Sequence, residues 1–408
     1  MSEWNEIQLD EVLKVYHGYA FAGEGMTDKL TGEPIVVSIG NFSYTGGFRF
    51  SSTRVREFRG EYPTEFDLTP GDLLVVMTCQ TSGGEILGVP GIVPSDGRIY
   101  LHNQRIGRVE CNEEKLDKTF AYYLFLAPET NRKIFNTATG TKILHTSPRR
   151  IGQVSCRIPP LLDQRKIGAL LGALDDKIAL NERIAATALE LAEAAYVEAS
   201  ACTEWESVTL KDAARWMSGG TPKTSEPDYW GGEIPWISAL SLKSPWIDSS
   251  DRNVTELGAT SGTRLASTDV VLFVVRGSSL KTEFRIGLTQ RQVAFGQDCK
   301  ALIARRGVDP HILFHGIRSK TANILDMVDE TSIGAGRLST DLISKLEIRI
   351  PKGSSDSVVS EVRTLDSLAA TRQKENRALS TLRDTLLPQL MSGRLRVRDA
   401  EKIAEDQV

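Results

Sequence analysis

Trp4-Asn5-Glu6-Ile7-Gln8-Leu9 near the start of the chain is answered by Trp205-Glu206-Ser207-Val208-Thr209-Leu210, and Arg157-Ile158-Pro159 is answered by Arg349-Ile350-Pro351. The marks recur at offsets of 201 and 192 residues, far beyond the period of a solenoid repeat, so the chain reads as a duplicated domain. Each copy ends in a long helical stretch. A duplicated unit with one helix per copy can fold back on itself with pseudo-twofold symmetry, a shape suited to a ligand that is itself two-fold, such as duplex DNA.

Within each copy the pattern is mixed. Short apolar runs such as Ile35-Val36-Val37, Leu73 to Met77 and Ile99-Tyr100-Leu101 are broken by Gly, Pro and Ser turns, and a helical patch lies around Phe120 to Leu126. The second copy behaves the same way. Its clearest strand, Asp269 to Val275, answers Asp72 to Met77 in the first copy, both being continuous apolar runs of the kind that is buried on two faces. The expected class is therefore α+β: two strand-rich globular domains separated by two long helices.

The helices run from Leu161 to about Ala199 and from Ser357 to about Leu387, where Pro388 should stop the second. The first carries Ile167, Leu170, Leu174, Ile178, Ile184 and Leu191 near three-four spacing; the second carries Val358, Val362, Leu365, Leu368, Leu379, Leu382 and Leu386. An offset of 195 matches Ile167 with Val362, Leu170 with Leu365, Asn181 with Asn376, Ile184 with Leu379 and Leu191 with Leu386. Matching seams make the helices partners for an antiparallel coiled pair. An Asn in an apolar seam fixes register at some cost in stability, so Asn181 and Asn376 either specify the pair or simply face solvent.

Composition sets further bounds. The 408 residues are 40% hydrophobic and 25% charged, enough for two ordinary cores. Cys79, Cys111, Cys156, Cys202 and Cys299 are scattered, which argues against a disulfide framework or a zinc site and for a reducing cytoplasm. The apolar runs are strand-length, and no targeting or membrane-spanning segment is expected. A formal charge of −4 weighs against a stand-alone DNA binder, because phosphate neutralisation drives affinity. A partner must add positive charge, or basic residues must gather on one face.

Catalytic signatures are missing: no phosphate-binding loop ending in Gly-Lys-Ser/Thr, no His-Glu-x-x-His, no Gly-x-Ser-x-Gly. Pro227-Asp228 opens like a nuclease site but no Glu-x-Lys follows, and a turn is the better reading. His311 and His315 sit at helical i, i+4 spacing without a third ligand nearby in sequence, so no metal is expected. No cofactor is expected either.

What remains is a set of polar and basic loop residues. Ser218-Gly219-Gly220-Thr221-Pro222-Lys223-Thr224 suits a loop that contacts a nucleic-acid backbone, followed by Tyr229, Trp230 and Trp236. Arg276, Ser278, Lys281 and Arg285 follow the strongest strand of the second copy. In the first copy the corresponding loop is Thr78, Gln80, Thr81 and Ser82, with Arg49, Arg54, Arg56 and Arg59 upstream. These side-chain types grip phosphates and read base edges, and they are also ordinary surface-loop residues.

Three segments carry a family resemblance. Leu382-Arg383-Asp384-Thr385-Leu386-Leu387-Pro388-Gln389-Leu390-Met391-Ser392-Gly393-Arg394-Leu395 resembles the distal helix end of specificity subunits of type I restriction-modification systems. Gln164-Arg165-Lys166-Ile167 through Leu174-Asp175-Asp176-Lys177-Ile178-Ala179-Leu180-Asn181-Glu182-Arg183 is similar to their central spacer helix, and Gly219 to Lys223 with Trp230 and Ile234-Pro235-Trp236-Ile237 to the opening of a target-recognition domain. The first copy has His17-Gly18-Tyr19-Ala20-Phe21 there and matches only in part.

The resemblance implies a non-catalytic DNA-recognition subunit. Residues 1–159 and 201–351 would be target-recognition domains, 160–200 and 352–395 the central and distal spacer helices, and 396–408 a tail. Each domain would read one half of a bipartite, asymmetric double-stranded DNA target. The helices would set the spacer and dock two methyltransferase subunits, to which motor-nuclease subunits are added. Ile167, Leu174, Ile178, Asn181, Val362, Leu365, Asn376, Leu379 and Leu386 are the residues expected in helix packing or partner docking. Rival readings are the specificity subunit of a combined endonuclease-methyltransferase and a coiled-coil scaffold that binds no DNA.

Overall fold

A computed structural model describes residues 4–50, 55–81, 83–330, 334–353 and 357–405. It divides into two units: the first comprises Met1–Ile178 with Ala378–Val408, the second Ala179–Arg377. The repeated marks of the sequence pair with each other inside each unit. In the first, Asn5–Gln8 runs antiparallel to Ser155–Ile158; in the second, Trp205–Thr209 runs antiparallel to Glu347–Pro351. Each ribbon joins the start of a domain to the segment that leads into a long helix.

The main sheet of the first unit has the strand order Leu13–His17, Ile106–Cys111, Leu73–Val76, Pro90–Ile92, all antiparallel. Side chains alternate across a strand, so Leu73, Val75 and Met77 enter one core while Leu74 and Val76 enter another. Both faces are covered, which is why the run reads as continuously apolar. The second unit repeats the order with Ala214–Ser218, Cys299–Ala304, Val271–Val274 and Ile286–Thr289, then adds Trp246–Ile247 at the edge. Beside each main sheet lies another with a shared core motif. Tyr100–Leu101 is parallel to Ile35–Val36 and antiparallel to Asp67–Leu68, just as Val293–Phe295 is parallel to Trp230–Ile237 and antiparallel to Arg264–Ala266.

A short helix covers each main sheet, at Lys118–Leu126 and at Pro310–Arg318. Both start on an aspartate cap. Asp117 accepts from the Phe120 amide at 2.9 Å, and Asp309 accepts from the His311 amide at 2.8 Å with Pro310 at the first helical position.

The central helix spans Leu161–Ser200 and the distal helix Ser357–Met391. At ~1.5 Å per residue the 40-residue central helix is about 60 Å long. The two helices pack together and run antiparallel, since the central one passes from the first unit to the second and the distal one returns. In the first unit, Ile167, Leu171 and Leu174 share a core with Leu379, Leu382, Leu386 and Leu390. In the second, Ala188, Ala192 and Tyr196 share one with Val362 and Ala369.

Two expectations for the helices need correction. Leu191 is 54% exposed and Leu368 37% exposed, and both lie off the packed stripe. Pro388 does not end the distal helix: near a helix end it removes a single amide donor, and the helix continues to Met391. Termination falls to Gly393, at φ +71°. Its amide bonds the Leu390 carbonyl at 3.1 Å while the Arg394 amide bonds that of Gln389 at 3.0 Å, the paired closure that a left-handed glycine permits.

Candidate nucleic-acid interface

In the second unit the loop after Ala214–Ser218 is held by close backbone contacts. A Cβ on Gly219 would stand 2.2 Å from the Gly296 carbonyl oxygen, and one on Gly220 would stand 2.1 Å from that of Gly262. Only glycine fits at either place. Two indoles fix the outer part: Trp236 Nε1 donates to the Gly220 carbonyl at 3.2 Å, and Trp230 Nε1 donates to the Lys223 carbonyl at 3.1 Å. Lys223 and Thr224 are exposed and Tyr229 is half-buried. The Lys223 side chain has no ion-pair partner among the described residues.

The basic residues that follow the strand Val271–Val274 are in a different state. Arg276 opens the short strand Arg276–Gly277 and lies 3.9 Å from Asp298; Lys281 pairs with Glu330; Arg285 is half-buried, donating to Glu283 at 2.9 Å and to the Ala239 carbonyl at 3.1 Å. Ser278 is exposed. Exposed pairs of this kind hold their partners weakly, so Arg276 and Lys281 remain exchangeable to a stronger anion. Arg285 is committed to the fold through its carbonyl contact.

In the first unit, Arg49, Gln80 and Thr81 are exposed, and Arg56 stands 3.7 Å from Asp28 in an open ion pair. Arg54 and Ser82 lie outside the described residues. Thr78 departs from the expectation of a surface loop. It is 5% exposed in a short strand, Thr78–Cys79, that pairs with Leu144–His145, and its hydroxyl meets His145 Nδ1 at 2.8 Å. Extended structure resumes after Met77, and the loop proper begins only at Gln80.

Of the seam residues, Ile167, Leu174, Leu379 and Leu386 are buried and Ile178 half-buried in the core of the first unit. Val362 is buried and Leu365 half-buried in that of the second. Asn376 is half-buried. Asn181 is fully buried, and neither its amide nitrogen nor its carbonyl oxygen has a hydrogen-bond partner among the described residues. The solvent-facing alternative is thereby removed for Asn181.

Two functional-looking groups were missed by sequence reading. Asp366 of the distal helix, 1% exposed, lies 2.7 Å from His311 Nδ1 and 2.9 Å from His315 Nε2. Burial pushes its carboxyl up, and the two imidazole hydrogen bonds outweigh that and hold it below the usual carboxylate range. The distances are those of hydrogen bonds, and no cluster of three or more His, Cys, Asp or Glu residues among the described residues could hold a metal. The second is Arg252, exposed, with its guanidinium carbon 3.7 Å from the centre of the Trp230 ring. An isolated Arg in a polar loop gives no signal until Trp230 and Trp236 are placed beside it.

No helix among the described residues is long and apolar enough to cross a membrane. Residues 1–190 match the family profile described as type I restriction modification DNA specificity domain. The chain is 29% identical over 150 residues to the type I restriction enzyme EcoR124I/EcoR124II specificity subunit of Escherichia coli, covering 36% of this chain and 37% of that one. It is 23% identical over 186 residues to the MjaIX specificity subunit of Methanocaldococcus jannaschii, covering 44% and 42%. The matched segments thus span less than half the length of these two relatives. The crystal structure of a type I restriction-modification S subunit from M. genitalium superposes with a TM-score of 0.64 at 15% identity over 95% of this chain and 96% of that one, which establishes a shared fold.

Proposed function

Because the chain belongs to the specificity subunits of type I restriction-modification systems, whose role is non-catalytic DNA target recognition, we propose that each of its β-rich domains reads one half of a split, asymmetric duplex target. Residues 1–159 and 201–351 act as the two target-recognition domains. The segments 160–200 and 352–395 act as spacer helices, with 396–408 as a tail.

The observation that supports this reading is the repeat of one strand order in both units, each leading into a long helix of an antiparallel pair. Two copies with the same framework and different loops suit two different half-sites. Gln80 and Thr81 in the first domain have Lys281 and its neighbours as counterparts in the second. A helix of about 60 Å can span more than one turn of DNA, whose half-sites recur every ~34 Å.

The helices also dock two methyltransferase subunits, and motor-nuclease subunits join that assembly. The net charge of −4 favours such a division of labour, since phosphate affinity must then come largely from partners and from local basic sites. Candidate DNA contacts are Arg49, Arg54, Arg56, Gln80, Thr81, Ser82, Lys223, Thr224, Tyr229, Arg276, Ser278 and Lys281. Thr78 and Arg285, bound into the fold, act at most by positioning their neighbours.

Mapping methylated adenines across the source genome, with and without this gene, tests the reading. The expected result is loss of one motif made of two defined halves around an undefined spacer. An unchanged map, together with no DNA binding by the purified complex, would overturn it in favour of a scaffold.

A further inference from the structure

The surface around Trp230 and Trp236 joins three observations that the repeat of the fold does not require. Arg252 lies over Trp230, with its guanidinium carbon 3.7 Å from that ring centre and 5.6 Å from the Trp236 ring centre. The two indoles stand edge to face, 5.4 Å apart at 83°, and the Trp236 amide bonds the Arg252 carbonyl at 2.8 Å. Backbone and ring together therefore hold Arg252 over the indole. Those same indoles, through Nε1, anchor Gly220 and Lys223 of the neighbouring loop.

Charge pairing separates this site from the paired basic residues elsewhere on the two domains. Arg56, Arg59, Arg276, Lys281 and Arg285 each have a carboxylate within 4 Å. Arg252 and Lys223 are exposed and neither forms an ion pair among the described residues. In a chain of net charge −4, an uncompensated guanidinium on the indoles, beside a loop whose Lys223 carbonyl is anchored to one of them, offers a local attraction for an anion. A guanidinium stacked on an indole keeps its N–H edges free to donate in the ring plane.

We propose that Arg252, stacked on Trp230 and Trp236, and Lys223 clamp a backbone phosphate of duplex DNA beside the second half-site. This rests on the DNA-recognition reading above and names the surface of the second domain that grips the duplex. The clamp fixes register and carries no sequence information, because phosphate contacts position while base contacts specify. The planar fork of Arg supplies direction, and the Lys adds a point charge on a flexible stem.

Salt-dependent binding tests the clamp in the full-length chain assembled with its methyltransferase subunits. Labelled duplexes with and without the mapped target are titrated over a series of salt concentrations. Replacing both residues by Met, R252M with K223M, keeps apolar bulk over the indoles and removes the charges. The slope of log affinity against log salt should then flatten by about one, at ~0.9 per lost phosphate contact. Affinity for both duplexes should fall by the same factor, about tenfold or more, and R252K should recover part of the slope.

An unchanged slope in a folded double variant would overturn the clamp while leaving DNA recognition intact. Loss confined to the target duplex would overturn it in favour of base reading. If the wild-type complex bound neither duplex, the underlying reading would fall instead.

Discussion

Asp366 places a carboxylate where water cannot reach it, between two imidazoles that donate to it from His311 Nδ1 and His315 Nε2. An ionised carboxylate only accepts, so both rings must present an N–H. His315 Nδ1 is buried without a partner among the described residues. Asp366→Ala would leave the buried His315 donor and the half-buried His311 donor unmade, at about 1–3 kcal/mol for the buried one and less for the other, and should lower the urea midpoint of the second unit accordingly. Acid should erase the difference. The Asp366 carboxyl titrates lower in the folded than in the unfolded chain, so its contribution is complete above the ordinary carboxylate value near ~3.9 and is lost as pH falls from there through the folded value. The gap between wild type and Asp366→Asn, followed by urea titration at successive pH values, should therefore narrow below about pH 4. The i, i+4 pair was legible in the sequence. Its carboxylate was not, because it arrives from 51 residues downstream on another helix. Thr78 illustrates the converse: polar residues after an apolar run read as loop, yet a short strand with Leu144–His145 buries it.

The long helices were legible at the level of the element because a three-four stripe survives over about seven or eight turns, and duplication allowed one to be checked against the other. What the stripe could not tell was where each turn ends up. Leu191 keeps the spacing and is exposed, while Asp366 and Asn181 interrupt the pattern and are buried. Side chains on a helix answer to whatever domain packs over that turn, and the domain contributes from far away in sequence. Asn181 follows the logic of a polar seam residue that lowers stability and restricts register. Asn181→Leu should raise the thermal midpoint, by an amount corresponding to about 1–3 kcal/mol, since it removes two buried polar atoms that lack partners. A lower midpoint would assign the amide a hydrogen-bonding role instead. Leu379→Asp, at a position 3% exposed, should disrupt the first unit by several kcal/mol and, with Ile178→Asp, prevent recovery of an intact complex on co-purification. Recovery of that complex would sink the assignment of these residues to the seam.

For the whole molecule, the repeat was visible as two short marks because those marks pair with each other. Trp205 to Thr209 and Glu347 to Pro351 close one domain, and their counterparts close the other, so both ends of each unit had to keep the same chemistry. The sheet edges and loops had no such constraint, and there the second domain adds a fifth strand, Trp246–Ile247. The first unit is built from both ends of the chain. Ending the chain after Arg377 removes Leu379, Leu382, Leu386 and Leu390 from its core, a loss of roughly 6–12 kcal/mol at ~1.5–3 per side chain. Hydrogen exchange on the truncated chain should show lost protection in Leu73–Val76 and retained protection in Val271–Val274. Equal loss in both would mean that the two cores fold as one cooperative system.

The same discontinuity sets a timetable during synthesis. The strands and short helices of the first unit leave the ribosome early, but its core is completed only by residues from Ala378 onward, after about two hundred more have been added. At ~5–20 residues per second the wait is on the order of 10–40 seconds. Throughout that interval Ile167, Leu171 and Leu174 lack the leucines that will cover them, while the second unit already has all of its own residues before the last ones arrive. The domain that is translated first is thus the last to close, and a nascent chain exposes the apolar face of its central helix to chaperones for as long as the second unit is being made.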